Sequence, residues 1–229
     1  MQNRLASVPL FQGLDSQALD YLTERLHPRK YANSEVIFGQ GDKGDGLYLI
    51  DHGVVRIFRI TPGGKEITLA LRTAPEFVGE MSLLDGLPRS ASACAQGGDC
   101  ACMFLHAKDL QQLLKAQPEA ALRLLKVLSR RLREAGEHLE ELAFSTIQQR
   151  LASLLLRLAR AEGQPEGQEV ILPDWVSYQS LSTMLGTARE CVNRVAVELV
   201  ESHALERRGR RLVICNQEIL ESIQLGVEL

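Results

Sequence analysis

Arg189, Glu190, Asn193 and Arg194 stand in the segment GTARECVNRVAVELVE, where Val192, Val195, Ala196 and Leu199 recur at i, i+3, i+4 and i+7. That spacing places the four apolar residues on one face of a helix and turns the polar four outward together. Chemically the set suits the edges of nucleic-acid bases. An arginine fork matches guanine O6 and N7, and a glutamate accepts from the cytosine amino group. On a surface that met only phosphates the glutamate would repel its ligand. The competing explanation is local: Thr187-x-x-Glu190 fits a capping box, in which the glutamate bonds back to the first amides of its own helix. The box accounts for Glu190 but not for the two arginines, nor for the RRGRR run at Arg207, Arg208, Arg210 and Arg211.

A second stretch, FVGEMSLLDGLPRSASA from Phe77 to Ala93, carries a different chemistry. A glycine beside a short turn lets backbone amides approach an anion, and Arg89 supplies a charged fork for a phosphate. Glu80 offers an acceptor for a sugar hydroxyl. An ordinary surface turn with one ion pair would be written with the same letters. The five cysteines, Cys94, Cys100, Cys102, Cys191 and Cys215, form no C-x-x-C pair and have no histidine at ligand spacing. Small buried thiols in a reducing compartment are the expectation, with no metal, haem or iron–sulfur site and no catalytic constellation.

These residues need elements to hold them. At 229 residues, 45% hydrophobic and 24% charged, the chain suits two domains with ample core. Lys plus Arg at 26 against Asp plus Glu at 29 leaves a net charge of −3, so a nucleic-acid surface has to be a local basic patch. No run approaches the roughly 20 apolar residues that cross a bilayer, and the N-terminus does not read as a signal peptide, so a cytoplasmic chain is expected. After a short helical start, residues 30–106 alternate apolar and polar positions between Gly/Asp turns, the pattern of a compact antiparallel β-roll. The period then changes. Leu125, Leu128, Leu132, Ala135, Leu139 and Leu142 form a heptad seam, narrow between charged neighbours, which favours a partner helix and hence a homodimer over packing within one chain. The pattern falters at Phe144–Ser145 and resumes in a second helix. EGQPEG (162–167) reads as a loop and QEVILP as a short strand. Ser177 caps a helix that ends at Gly186, Thr187 starts the next, and two strands around Gly209 follow. Ser177 and Gln179, at the head of the first helix, join Arg189, Glu190, Asn193, Arg194 and the four wing arginines as the nucleic-acid set.

The order G-E-x-x-L-L-x-x-x-P-R-S-A resembles the phosphate-binding cassette of cyclic-nucleotide-binding domains. With GQGDKGDGLYLIDHGVVRIFR before it, and the long helix and LGTARECVNR after it, the chain is similar over essentially its full length to the CRP/FNR transcription regulators. It is nearest to the cAMP receptor protein branch, because Arg189, Glu190 and Arg194 stand at that branch's base-reading positions and the N-terminal cysteine cluster of the FNR branch is missing. The resemblance implies an α+β fold. A cyclic-nucleotide-binding β-roll would occupy 1–117, a dimerisation helix 118–144 and a winged helix-turn-helix DNA-binding domain 145–229. It implies a non-enzymatic regulator that binds double-stranded DNA as a homodimer, with RNA polymerase as a further partner and a cyclic nucleotide, cAMP first, as effector.

The resemblance also assigns ligand roles. Glu80 would take the ribose 2′-hydroxyl, with Gly79, Met81 and Ser82 beside it, and Arg89 and Ser90 would hold the cyclic phosphate. Where cAMP-specific members carry a Thr-Ser pair against the adenine, this sequence has Ala135 and Gly136, which offer no side-chain hydrogen bond. Two rivals stay open: the same DNA-binding regulator without a physiological small-molecule ligand, and a cyclic-nucleotide sensor acting on a partner protein.

Overall fold

Strand β3, Gly46–Ile60, shows how period-two alternation builds the first half of the chain. Leu47 and Leu49 point to one side, into a cluster with Phe77, Leu105, Leu110, Leu124 and Val127. Tyr48 and Ile50 point to the other, into a cluster with Val55, Val78, Cys102 and Phe104. A strand apolar on both faces is buried on both, and Gly46 through Ile50 are all buried.

The structure is a computed structural model and describes residues 2–226. Helices α1 (Gln2–Ser7) and α2 (Ser16–Arg25) precede β1 (Leu26–Tyr31), β2 (Val36–Phe38), β3, β4 (Glu66–Thr73), β5 (Phe77–Val78), the short α3 (Met81–Asp85) and β6 (Ser92–His106). The six strands form one sheet in the order β1-β6-β3-β4, with β2 also on β6 and β5 on β3. Antiparallel register sets Tyr48 opposite Phe104 and Ile50 opposite Cys102, which fixes the lining of the roll. Helix α4 (Ala107–Ala116) and the 27-residue α5 (Pro118–Phe144) follow.

Helix α6 (Ile147–Glu162) begins at a capping box between Thr146 and Gln149. Strands β7 (Gln164–Glu166) and β8 (Glu169–Ile171), helices α7 (Tyr178–Leu185) and α8 (Arg189–Glu201), strands β9 (Leu205–Arg208) and β10 (Arg211–Ile214), and α9 (Gln217–Gln224) complete the chain. The four strands pair in the order β7-β8-β10-β9. Helix α6 packs on α7, α8 and α9, with Leu151, Leu155 and Leu156 buried. The chain divides into two compact units: residues up to Arg59 with Leu69–Ala135, and Ile60–Thr68 with Gly136–Leu229.

Two local expectations need correction. EGQPEG is not a loop throughout, because Gln164–Glu166 pairs with β8 through a turn at Gly167, whose φ is +64°. Thr187 does not cap α8. Gly186 closes α7 at φ +62°, and both its amide and that of Thr187 donate to Ser182 O. Thr187 is thereby spent on the end of α7, and the N-cap of α8 falls on Ala188, which has no capping side chain.

The leucines of the heptad seam are not the face that α5 packs inward. Its buried residues are Ala120, Leu124 and Val127. Leu125, Leu132, Leu139 and Leu142 are exposed, Leu132 at 75% and Leu139 at 66%, while Leu128 is half-buried against the first cluster and Ala135 is exposed.

Candidate anion-binding cassette and nucleic-acid interface

Arg89 lies at the centre of the cassette and is only 3% exposed. Its Nη1 donates to Gly79 O at 2.5 Å and to Ser82 Oγ at 3.0 Å. Its Nη2 donates to Gly46 O at 2.8 Å and Asp45 Oδ1 at 3.1 Å. The guanidinium stacks on Phe38, with Cζ 4.4 Å from the ring centroid. Its Nε is buried without a partner. A planar cation enclosed by oxygens and an aromatic face, with one donor spare, fits an anionic ligand that exchanges for one of the internal acceptors. Gly79 is required here on two counts: φ is +90°, and a Cβ would come within 2.6 Å of the arginine.

Glu80 is also buried, at 6% exposure, but it turns away from Arg89. It accepts from Arg131 Nη1 of α5 at 2.8 Å. Arg131 in turn donates to Phe77 O at 2.6 Å and Glu76 Oε2 at 3.2 Å. Glu76 receives Arg130 at 2.6 Å and Arg72 at 3.2 Å, and Arg72 reaches Glu134 at 2.9 Å. The cassette acid is therefore wired into α5. Thus Gly79, Ser82 and Arg89 come together, Glu80 joins an ion-pair network, and Met81 and Ser90 sit exposed with Ser90 Oγ 3.6 Å from Met81 Sδ. Ala135 and Gly136 are exposed on α5, and among the described residues nothing beyond the helix's own nearby backbone lies within 4 Å of where a Gly136 Cβ would stand. Asp45, Phe38, Tyr48 and Arg131 are absent from the sequence-derived set. The GDKGDG turn was the one available sign of Asp45, and no short-range pattern marks Arg131.

Cys100 and Cys102 both line the roll, with sulfurs 3.7 Å apart. The hydrogen bond between them lowers the Cys100 thiol pKa and, with burial, pushes that of Cys102 far up. All five cysteines are free thiols.

In the second unit, Val192, Val195, Ala196 and Leu199 bury one face of α8. Arg189, Glu190 and Arg194 are exposed. None of the three side chains makes a hydrogen bond or ion pair among the described residues. With no side chain capping α8, Glu190 is not consumed by a capping box. Asn193 departs from expectation: it is half-buried, and its Oδ1 is enclosed without a partner. Arg150 of α6 donates to the carbonyl of Leu185 and so ties down the end of α7. Ser177 Oγ accepts from Ser180 N at 3.2 Å as the N-cap of α7, and Gln179 is exposed in the next turn.

The wing arginines are not equivalent. Arg208 makes a bidentate pair with Glu169, at 2.7 and 2.8 Å, and a second pair with Glu206 at 2.7 Å. The Arg208 bond holds the Glu169 carboxyl below its ordinary range, and the two glutamates push the Arg208 pKa up. Glu169, Glu206 and Cys215 lie close together, and Arg208 supplies the positive charge among them. Arg211 pairs with Asp174 at 2.5 Å. Arg207 donates to Gly209 O at 3.1 Å, and among the described residues no acid pairs with it or with Arg210.

Residues 28–117 match the cyclic nucleotide-binding domain family, and residues 149–223 the Crp-like helix-turn-helix domain family. The cyclic AMP receptor protein of Thermus thermophilus is 37% identical over 219 residues, which cover 96% of this chain and 98% of that protein. The chain belongs to the CRP/FNR family of transcription regulators. A CRP-like cAMP-activated global transcriptional regulator of Mycobacterium tuberculosis is 30% identical over 96% of this chain and 98% of its own. The solved structure of a c-di-GMP-responsive global regulator of Xanthomonas campestris superposes with a TM-score of 0.78 at 26% identity, over 88% of this chain and all of that one. This CRP/FNR regulator thus joins a cyclic-nucleotide-binding roll to a DNA-binding helix-turn-helix. No helix among its described residues is long and apolar enough to cross a membrane.

The Glu80–Arg131 pair gives the first prediction for this CRP/FNR regulator. Arg131→Gln strands the buried Glu80 carboxylate and is expected to cost about 3–5 kcal/mol in the first unit. Adding Glu80→Gln should restore part of that stability. Calorimetric unfolding of both variants is the measurement, and an unchanged single variant would show that the pair is dispensable.

Proposed function

We propose that the chain is a cytoplasmic homodimeric regulator that reads a GTGA-like inverted repeat under the control of a cyclic nucleotide, cAMP first. The observation that carries this reading is the exposed, unpaired trio Arg189, Glu190 and Arg194 on a helix that has no capping use for Glu190. Two guanine forks and one cytosine acceptor within the first two turns suit a recognition helix. Arg207 and Arg210, without acidic partners among the described residues, are the wing groups for flanking phosphates, while Arg208 and Arg211 hold the wing to Glu169, Glu206 and Asp174. Ser177 and Gln179 lie at the head of α7, where backbone phosphates pass a helix-turn-helix. RNA polymerase is the further partner that a transcription regulator of this family would meet.

In the proposed division of labour, residues 1–117 sense the ligand, 118–144 dimerise and 145–229 bind DNA. The exposed leucines of α5 support the middle role, since a row left uncovered in one chain is covered by a second copy. For the ligand, Arg89 and Ser90 would hold the phosphate, and Glu80, with Gly79, Met81 and Ser82 beside it, the ribose. Release of Asp45 from Arg89 and of Arg131 from Glu80 would accompany entry, which biases α5 between two arrangements. Ala135 and Gly136 favour a second reading of the effector, in which adenine goes unrecognised and another cyclic nucleotide or a cyclic dinucleotide is preferred. The similarity to a c-di-GMP-responsive regulator supports the same reading.

Selection of bound duplexes tests the DNA reading. The consensus is expected to be an inverted repeat with half-site centres about 10–10.5 bp apart, or a multiple of that. Arg189→Ala and Arg194→Ala should each cost about 1–3 kcal/mol and relax one G·C position. Arg210→Ala should weaken all sequences alike and reduce the salt slope by about one unit. A consensus without G·C pairs at the two arginine positions overturns the reading.

Sedimentation tests the dimer. Leu132→Glu places a charge in the seam of both helices and is expected to yield monomers that lose specific DNA binding while the roll stays folded. A variant that still dimerises would assign the leucine row to some other contact.

Calorimetry against cAMP, cGMP and cyclic dinucleotides tests the ligand. Arg89→Ala should remove most affinity for any of them. Ala135→Thr with Gly136→Ser should sharpen the preference for adenine, by about 1 kcal/mol for one recovered hydrogen bond. Tight, strongly cAMP-selective binding by the unaltered chain would mean that another group reads the base. If no cyclic nucleotide binds and Arg89→Ala leaves DNA affinity untouched, the regulator acts without such a ligand.

A further inference from the structure

Val197 is 55% exposed on α8, although the buried face of that helix is complete with Val192, Val195, Ala196 and Leu199. At 3.6 residues per turn, Val197 lies about 20° from the line of Glu190 and about 60° from that of Arg194. It stands in the middle of the stripe that carries the unpaired polar groups, one turn beyond Arg194. Asn193, which the helical pattern would put beside it, is half-buried with its carbonyl oxygen enclosed. The outward stripe therefore reads Glu190, Arg194, Val197, and then Glu201. Isolated apolar residues are common on protein surfaces and need no explanation by themselves. Val200, 39% exposed, lies about 60° round the helix from it; Val197 occupies a position that the DNA reading aims at base edges, and the major groove holds one apolar feature, the C5-methyl of thymine.

We infer that Val197 is a specificity-determining residue that packs against a thymine methyl in the half-site. The inference rests on the DNA-reading role proposed above and extends it from G·C pairs to an A·T pair. Seven residues separate Val197 from Glu190, about 10 Å along the axis, so the two meet different base pairs. Exposed Glu198 and Glu201 follow and would repel phosphates, which makes Val197 the last base-directed group on the helix. A valine side chain ends in two methyl groups and has no donor or acceptor, so it distinguishes thymine from cytosine by contact alone.

The test removes the methyl group and nothing else. In the best selected duplex, each thymidine of the half-site is replaced singly by deoxyuridine, and affinity is measured for the unaltered chain and for Val197→Ala. The unaltered chain is expected to lose about fourfold at one thymidine position, the value of one buried methyl group. Val197→Ala should start from a weaker affinity and be indifferent to deoxyuridine at that position, while keeping its G·C preferences. Equal sensitivity of both proteins at every position, or none in either, overturns the inference and leaves the arginine reading intact. Failure of the unaltered chain to select any sequence would instead remove the DNA reading itself, and this inference with it.

Discussion

A guanidinium buried as deeply as that of Arg89 must be surrounded by acceptors, because an unpaired charge in the roll interior would cost several kcal/mol. Two backbone carbonyls, a serine hydroxyl and Asp45 meet that demand. Much of the first unit's local geometry serves it. Gly79 must lack a side chain, Gly46 must present its carbonyl from the start of β3, and Phe38 must offer its ring. The same enclosure gives any anionic ligand competitors, so affinity measures a difference between two sets of acceptors for one cation.

The network around Glu80 extends this constraint to α5. Glu76 receives three arginines, Arg72, Arg130 and Arg131, two of them from the long helix. A change at the cassette acid therefore alters the charge balance on the stretch of α5 that ends at Glu134, next to Ala135, where the first compact unit stops. Coupling of this kind needs no moving part besides a redistribution of partners among charges already close together.

Sequence and structure agree where a local period or a tight turn dictates the outcome. The alternation of β3, the Ser177 cap and the αL glycine at 186 are all local in this sense. They disagree where a distant partner decides. Glu80 finds Arg131 from 51 residues away, and Arg208 finds Glu169 from 39. No short-range pattern announces either pairing. The Thr187–Glu190 box is permitted by spacing, yet the amide of Thr187 is already used to close α7, so two motifs competed for one residue and the helix end prevailed. Asn193 shows that a residue at the edge of a helical stripe is placed by its neighbours' packing and not by its angle alone.

Strands β3 and β6 each carry two linings. Tyr48, Ile50, Cys102 and Phe104 face the roll, whereas Leu47, Leu49 and Leu105 face the helices. Because the sets alternate along the same backbone, the hydrogen-bonded ladder between the strands is indifferent to which residues fill either face. Substitutions at Tyr48 and Ile50 can re-line the chamber while Leu47 and Leu49 go on anchoring the helices. A scaffold with this property can drift from one effector to another over evolutionary time without passing through an unfolded intermediate.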